Sequence, residues 1–238
     1  MKGWLDVVRW IPRIGIAICA ILIPLATIST VVLNLFHDSS YYHAGQVRYQ
    51  VAPVTGYSQD QLDRVDDGIV RFFGGNESLP TAIGAAGGPA DIFSERAVLH
   101  MNDVRGVIQA FGSMQQVSLL IVGLLALFAL IQWSKAGRIA IARALVYSSL
   151  VTVMLGVIAI GLTFVGFDTL FITFHELVFH NDYWQLDPLT DHLVQMFPFE
   201  FWFDAMLALA LRIVLVTVVL GGLGVALGRG GLASWRRA

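Results

Sequence analysis

The chain has 238 residues, of which 56% are hydrophobic and only 13% are charged, and its mean hydropathy is +0.70. A soluble domain carries about 25% charged residues, so this composition excludes an ordinary water-soluble globule. The formal net charge of −2 excludes the basic surface that a nucleic-acid-binding protein needs. The single cysteine, Cys19, excludes a disulfide scaffold and a CxxC metal or redox site. These figures predict an integral membrane protein.

Four apolar stretches are long enough to cross a bilayer, which takes about 20 residues. They are residues 14–36, 114–133, 144–167 and 205–227. The first is too long for the apolar core of a signal peptide, and no small-x-small cleavage site follows it. We therefore interpret it as an uncleaved helix. The predicted fold class is integral membrane and mainly α, with four transmembrane helices.

Basic residues flank the predicted spans on one side of the membrane. They are Lys2, Arg9 and Arg13, then Lys135, Arg138 and Arg143, and finally Arg229, Arg236 and Arg237. By the positive-inside rule, both termini and the short connection between spans two and three are cytoplasmic. The connections 37–113 and 168–204 then face outward from the cytoplasmic membrane.

All six histidines lie in the two outward connections: His37, His43, His100, His175, His180 and His192. Sixteen of the 17 acidic residues lie there as well. This asymmetry places any histidine-based proton chemistry at the outer face of the membrane. The alternative is that short inner loops have no room for histidine.

The first outer connection, residues 37–113, predicts a small extracytoplasmic α/β domain. Residues 41–52 are rich in β-branched and aromatic side chains, and residues 93–101 alternate between apolar and polar. Both patterns are typical of strands.

Helix signals lie between and after these two stretches. Ser58 and Gln61 match a capping box, which predicts a helix that begins there and ends at the glycine pair following Phe73. Asn102 is predicted to cap a helix that continues into the second span.

The second outer connection, residues 168–204, is unusually aromatic. Eleven Phe, Tyr or Trp residues fall among positions 167–204. Aromatic rings favour the membrane–water interface, so we expect this loop to lie along it. Asp187 and Pro188 predict the start of a short helix that runs to Met196. A purely anchoring aromatic belt is the alternative to a functional site.

Two motifs fail on spacing. His175 and His180 resemble the HExxH zinc-protease motif but are five residues apart, so they differ by about 140° around a helix and cannot share a face. No other spacing of histidine and carboxylate enforces a metal site, and none is predicted. Gly224 and Gly228 match GxxxG, which permits close helix approach, although a fraying glycine-rich tail is equally consistent with them.

Arg212 lies within the fourth predicted span. An arginine at mid-membrane costs at least about 2.5 kcal/mol unless it is paired or reaches water. We expect it to face the interior of the helix bundle, towards an acidic residue of the aromatic loop or a substrate phosphate or ester. Snorkelling towards the outer surface is the alternative.

Two stretches together resemble a known family. One is ERAVLHMNDVR at residues 95–105. The other is FHELVF at residues 174–179, continued by NDYW at 181–184, Asp187-Pro188, Asp191 and Phe197-Pro198. In this order, with four spans, they resemble the bacterial integral membrane family of lipoprotein intramolecular transacylases, Lit.

The resemblance implies a cofactor-free acyltransferase of the bacterial cytoplasmic membrane. Such enzymes act on a diacylglyceryl-cysteine lipoprotein and move its sn-2 acyl chain to the α-amine of the same cysteine, which leaves the lyso form. The implied partners are this lipoprotein substrate and membrane lipid. By the same resemblance, the catalytic histidines are His100 and His175.

The residue types suit this chemistry. An α-amine has a pKa of about 7.7–8.0 and is mostly protonated near neutrality, so a neutral histidine, with an ordinary pKa near 6.5, can act as its general base. Glu176, Asp103 or Asp182 could orient one of the two histidines. Arg212 and Trp184 are candidates for polarising the ester and lining the pocket.

Other interpretations stay open at this point. His100 can be an exposed strand histidine and His175 an interfacial side chain. The chain can equally be a non-enzymatic membrane protein whose aromatic loop binds a lipid or a partner, or a metal-dependent membrane hydrolase.

Overall fold

Helices make up the secondary structure of the described chain. The computed structural model describes the backbone of residues 2–233 and the side chains of residues 13–132 and 135–229. Within that part the helices are α1 (Lys2–Phe36), α2 (Ser39–Arg48), α3 (Val51–Thr55), α4 (Gln59–Gly74), α5 (Leu79–Ala85), α6 (Glu95–Val178), α7 (His192–Met196) and α8 (Phe199–Ala233). The side chains of four residues in the charge prediction, Lys2, Arg9, Arg236 and Arg237, lie outside the described residues.

Four helical segments are long and apolar enough to cross a membrane: Arg13–Phe36, Glu95–Gln132, Lys135–Val178 and Phe199–Arg229. This agrees with the four predicted transmembrane helices and makes the chain a multi-pass membrane protein. The two middle segments belong to the single long helix α6, here called its first arm (Glu95–Gln132) and second arm (Lys135–Val178).

The chain divides into two compact units. Unit 1 contains Met1–Val31, Gly112–Ala159 and Ala210–Ala238, and unit 2 contains Val32–Phe111 and Ile160–Leu209. Each unit therefore combines segments that are distant in sequence.

In unit 1, glycines mark the close approaches of the backbone. A Cβ on Gly137 would collide with the carbonyl oxygen of Ala129, eight residues earlier, so the chain reverses sharply between the two arms of α6. A Cβ on Gly224 would lie 2.9 Å from the carbonyl oxygen of Ala142. The interpretation of Gly224 as a small residue that lets α8 approach its neighbour is therefore confirmed.

In unit 2, α4 forms the centre of the hydrophobic core. The predicted capping box is confirmed, because the Ser58 side chain accepts from the backbone N–H of Gln61 while the Gln61 side chain accepts from that of Ser58. The buried apolar residues of α4 recur at helical spacing: Leu62, Val65, Ile69, Phe72 and Phe73. Helix α5 packs directly against α4 at Gly68, where a Cβ would lie only 2.5 Å from Cα of Ile83.

The predicted α/β domain is wrong, because the described residues contain no strand. Residues 41–52 form α2 and the start of α3, with Tyr42 and Gln46 buried one helical turn apart. Residues 93–101 contain the start of α6, which Ser94 caps by accepting from the backbone N–H of Ala97. Tertiary burial at a spacing of three to four residues overrode the local strand propensity in both places.

The prediction that Asn102 caps the N-terminus of a helix is also wrong. The helix has already begun at Glu95, and the Asn102 side chain donates to the carbonyl of Val98 at 3.0 Å. Asn102 therefore lies within the helix, eight residues after the capping Ser94.

The aromatic connection 168–204 is shorter than predicted, because α6 continues to Val178 and α8 begins at Phe199. The predicted start of the short helix at Asp187 is wrong, because α7 begins at His192. The Asp187 side chain instead accepts from the backbone N–H of Leu189 in a turn. Phe197 and Phe201 are buried in the core of unit 2, so part of the aromatic content serves packing and not an interfacial belt.

Candidate active site

His100 and His175 lie together although 75 residues separate them in sequence. His100 is on the first arm of α6 and His175 on the second, and their ring centroids are 5.9 Å apart. A straight helix would separate them by about 110 Å at about 1.5 Å per residue, so the reversal of α6 creates this pair. Both side chains are buried, with 9% and 8% of their surface exposed. The interpretation of His100 as an exposed strand histidine is therefore wrong.

Aromatic side chains surround the histidine pair. The rings of Phe171 and Trp184 lie 4.2 and 5.0 Å from that of His175, measured between centroids. Phe179 lies 5.1 Å from His100 and 5.5 Å from His175. Phe171, His175 and Phe179 are spaced by four residues, so they share one face of the second arm. The pair thus lies in an apolar surrounding that limits the access of water.

A backbone carbonyl orients His175. Its Nδ1 lies 2.7 Å from the carbonyl oxygen of Phe171, one turn earlier. A carbonyl can only accept, so Nδ1 carries the hydrogen and, in the neutral ring, Nε2 holds the free lone pair. The structure therefore gives this orienting role to the backbone, whereas the sequence had suggested a carboxylate.

His100 and Arg96 carry unsatisfied buried nitrogens on the same helix face. Nδ1 of His100 and Nε of Arg96 are both buried without a hydrogen-bond partner. Arg96 lies one turn before His100, and its other end is held by Asp182, through an ion pair of 3.2 Å and a hydrogen bond to the Asp182 carbonyl. Because a buried donor without a partner is costly, these nitrogens mark a place where a polar group can bind.

The three acidic candidates have different places. Asp182 contacts Arg96 and not a histidine in the described contacts. Asp103 lies three residues after His100 and accepts from the side-chain amide of Asn181 at 2.9 Å, which ties the loop after α6 to the first arm. Glu176 is exposed; it points about 100° away from its buried neighbour His175, so the structure does not support an orienting role for it.

Arg212 does not face the interior of its bundle, contrary to the prediction. It is exposed on α8 in unit 1, whereas the histidine pair belongs to unit 2. The buried positions of this part of α8 are Ala210, Thr217 and Gly224, a spacing of seven that defines one face. Two residues beyond Ala210, Arg212 points about 200° away from that face.

Asp204 is the acidic residue nearest to Arg212 in sequence. Its carboxylate already has two partners within unit 2. Arg48 forms an ion pair of 2.8 Å with its carboxylate, and the hydroxyl of Tyr49 donates to it at 2.6 Å. Burial and the hydrogen bond to Asp204 raise the pKa of Tyr49 to about 12. The hydroxyl therefore stays protonated as a donor, and this contact joins the end of α2 to α8.

Sequence reasoning missed Arg96, Phe171 and Phe179. Each lies four residues from a candidate histidine, and that spacing was the available signal. Arg96 falls inside a stretch that had been predicted as a strand, where positions i and i+4 do not meet on a helical face. The other four histidines lie outside the aromatic cluster; His180, for example, is exposed beyond the end of α6.

Comparison with known proteins supports one family. The profile of the family described as "Lipoprotein intramolecular transacylase Lit" matches residues 17–202. A protein of Aquifex aeolicus (strain VF5), described as uncharacterized, is 30% identical over 139 residues. That alignment covers 54% of this chain and 57% of the relative, so the chain spans little more than half of the relative's length.

Solved structures share the fold. The in meso structure of the membrane-integral lipoprotein intramolecular transacylase Lit from Bacillus cereus superposes with a TM-score of 0.78 at 18% identity, covering 95% of this chain and 98% of that one. A variant of the Bacillus cereus protein with one histidine replaced by arginine gives a TM-score of 0.80 at 17% identity, with 98% and 99% covered.

Proposed function

The chain belongs to the lipoprotein intramolecular transacylase Lit family, whose members are acyltransferases, and we propose that it moves the sn-2 acyl chain of a diacylglyceryl-cysteine lipoprotein to the α-amine of the same cysteine. The observation that carries this proposal is the buried His100–His175 pair, whose ring centroids are 5.9 Å apart. Both histidines fall within the matched part of the chain.

His175 is the general base of the proposed reaction. Its Nδ1–H is bonded to the Phe171 carbonyl, so Nε2 is the nitrogen available to take a proton from the substrate amine. The neutral amine attacks the ester carbonyl carbon, and His175 takes the proton that the nitrogen releases as the C–N bond forms. The tetrahedral intermediate then carries its negative charge on oxygen.

His100 is the acid that completes the transfer. When the bond between the acyl carbon and the glycerol oxygen breaks, the proton that His175 took from the amine passes through His100 to the departing alkoxide. In balance, one proton moves from the amine nitrogen to the glycerol oxygen, one C–N bond forms and one C–O bond breaks. No cofactor enters the balance.

Arg96 is the donor for the oxyanion. Its Nε–H is buried without a partner, and Asp182 fixes the rest of the guanidinium. A donor that is oriented in advance stabilises developing charge without further rearrangement. Asp182 is therefore a positioning residue that acts through Arg96.

The aromatic walls favour aminolysis over hydrolysis. Phe171, Phe179 and Trp184 enclose the pair, and the exclusion of water protects the ester from the competing nucleophile. Amine and ester belong to one molecule, so correct positioning supplies much of the rate.

The function is tested by a crossover experiment with the purified chain in detergent. Two synthetic diacylglyceryl lipopeptides are mixed, one unlabelled and one with heavy isotopes in both the sn-2 acyl chain and the peptide. We expect N-acyl lyso products in which acyl chain and peptide are both light or both heavy. Mass spectrometry of the N-terminal peptide distinguishes these products.

Each other outcome has a distinct meaning. Crossed products, with a heavy acyl chain on a light peptide, would contradict intramolecular transfer while leaving an acyltransferase. Free fatty acid in place of N-acyl peptide would indicate a hydrolase. The absence of any new product from folded protein would overturn the proposed function.

We also propose that the histidine pair faces the outer side of the cytoplasmic membrane. The support is the distribution of charge: Lys135, Arg138 and Arg143 cluster at the reversal of α6, and the connection 168–204 holds seven acidic residues and no Lys or Arg. The positive-inside rule then places the reversal in the cytoplasm.

Cysteine labelling in intact cells tests this orientation. Asp91 and Arg138 are both exposed, and the native Cys19 is buried. We expect a membrane-impermeant maleimide to label the Asp91→Cys variant in intact cells and the Arg138→Cys variant only after permeabilisation. The reverse pattern would contradict the proposed orientation.

A further inference from the structure

A second cluster of chemically active side chains lies outside the histidine pair. His43 is on α2, and Asp63 and Asp66 are on α4; each offers a ligand atom, and the three atoms lie within 4.8 Å of one another. Asp67 adds a carboxylate oxygen 3.8 Å from Nε2 of His43. Two ligands of one first-row ion are at most roughly 4.2 Å apart, since each metal–ligand bond is about 2.1 Å. The limit of 4.8 Å on the three separations is slightly wider than this, so a modest adjustment of the side chains would bring the three atoms around a single ion.

The buried carboxylate of Asp66 points to a ligand. Its side chain has no exposed surface, and its Oδ2 has no hydrogen-bond partner. The other oxygen, Oδ1, accepts from the side-chain amide of Gln46 at 2.6 Å. Oδ2 lies 3.9 Å from Nε2 of His43, which is too long for a hydrogen bond but places it among the other ligand atoms.

Negative charge accumulates at this place, and His43 is the one basic side chain that the described ion pairs bring to it. Asp63, Asp66 and Asp67 lie on one face of α4, where like charges three and four residues apart destabilise a helix. The neighbouring Arg64 is paired with Asp60 instead. A bound cation would relieve this repulsion.

We propose that His43, Asp63 and Asp66 bind one divalent transition-metal ion, of the Zn²⁺ or Mn²⁺ type, that clamps α2 to α4. One imidazole nitrogen with carboxylate oxygens suits these ions better than Ca²⁺ or Mg²⁺, which prefer oxygen alone. Nε2 of His43 donates to the carbonyl of Asp63 at 3.0 Å, so binding of an ion there would move this hydrogen to Nδ1. The site is structural and takes no part in the proposed transacylation.

The test is thermal unfolding of the full chain in detergent after treatment with a chelator. We expect added Zn²⁺ or Mn²⁺ to raise Tm by at least about 2 °C, because an ion that binds only the folded state stabilises it. Mg²⁺ at the same concentration is expected to have little effect. Titration calorimetry with Zn²⁺ and the electron paramagnetic resonance spectrum of Mn²⁺ measure binding directly.

Matched variants assign the effect to the cluster. Asp66→Asn keeps the acceptor for Gln46 and removes the buried charge, so we expect it to fold without metal and to bind at least about tenfold more weakly. His43→Gln, at a half-buried position, is expected to lose the metal-dependent rise as well. Asp60→Asn, exposed on the same helix, is expected to keep it.

Several results would overturn the proposal. One is a wild-type protein that shows no Tm rise and only the spectrum of free Mn²⁺. Another is an Asp66→Asn or His43→Gln variant that retains wild-type affinity. Loss of transacylation with intact metal binding would affect only the proposed function, so the two proposals fail separately.

Discussion

We expect the His175→Ala variant to lose transacylation by about 10²–10⁴-fold, the contribution of a positioned general base. The reason is geometric: the Phe171 carbonyl holds Nδ1–H, which leaves Nε2 as the proton acceptor, and alanine has no acceptor. The initial rate of N-acyl lyso product formation by the purified variant measures the loss. The double variant with His100→Ala should be little slower than His175→Ala alone, because the effects of residues that act together on the rate are not additive.

His180→Ala is the matched control for this variant. His180 lies five residues further along and is exposed, so its removal should leave the rate within about twofold of the wild type, as for an uninvolved surface position. A His175→Ala variant that folds with wild-type Tm and keeps its rate would contradict the assignment. His175→Gln retains much of the side-chain volume beside Trp184, and it separates loss of the base from loss of packing.

The Arg96→Lys variant should lose about 10²–10³-fold in kcat, the usual effect of removing one oxyanion donor. Lysine retains the positive charge and can still reach Asp182, but it lacks the Nε–H that is buried without a partner. KM should change little, because the interaction strengthens only as the oxyanion forms. Steady-state kinetics with the synthetic lipopeptide separate the two parameters.

Arg71→Lys supplies the comparison for Arg96. Arg71 forms an exposed ion pair of 3.1 Å with Glu77, and its replacement by lysine should leave kcat unchanged. Asp182→Asn should lower kcat less than Arg96→Lys does, because the Asp182 carbonyl still accepts from the guanidinium. If Arg96→Lys retains wild-type kcat, Arg96 is not the oxyanion donor.

The sequence was most informative where a signal is local. The length of apolar stretches predicted four membrane helices, because bilayer thickness sets that length directly. The capping box at Ser58 predicted the start of α4 correctly, since the side chain and the backbone N–H groups that it satisfies lie within one turn. The motifs around His100 and His175 resemble the family whose profile matches residues 17–202.

The sequence was least informative where packing decides. Residues 41–52 and 93–101 carry strand propensity but are helical, because Tyr42, Gln46 and Ala97 are buried at helical positions. Their partners come from distant segments, which no local pattern reveals. The same error concealed Arg96, whose relation to His100 depends on the helix.

The sequence by itself determined that this protein is a charge-poor, multi-pass membrane protein, because composition is a property of the chain alone, and the resemblance of its motifs to a known family pointed to His100 and His175. Only the tertiary structure decided that the two histidines meet, 75 residues apart, in a buried aromatic surrounding. It also showed that Arg96 lies in unit 2 with the two histidines, whereas Arg212 lies in unit 1. The physical reason is that α6 folds back on itself, so groups on its two arms become neighbours through packing that the sequence does not display.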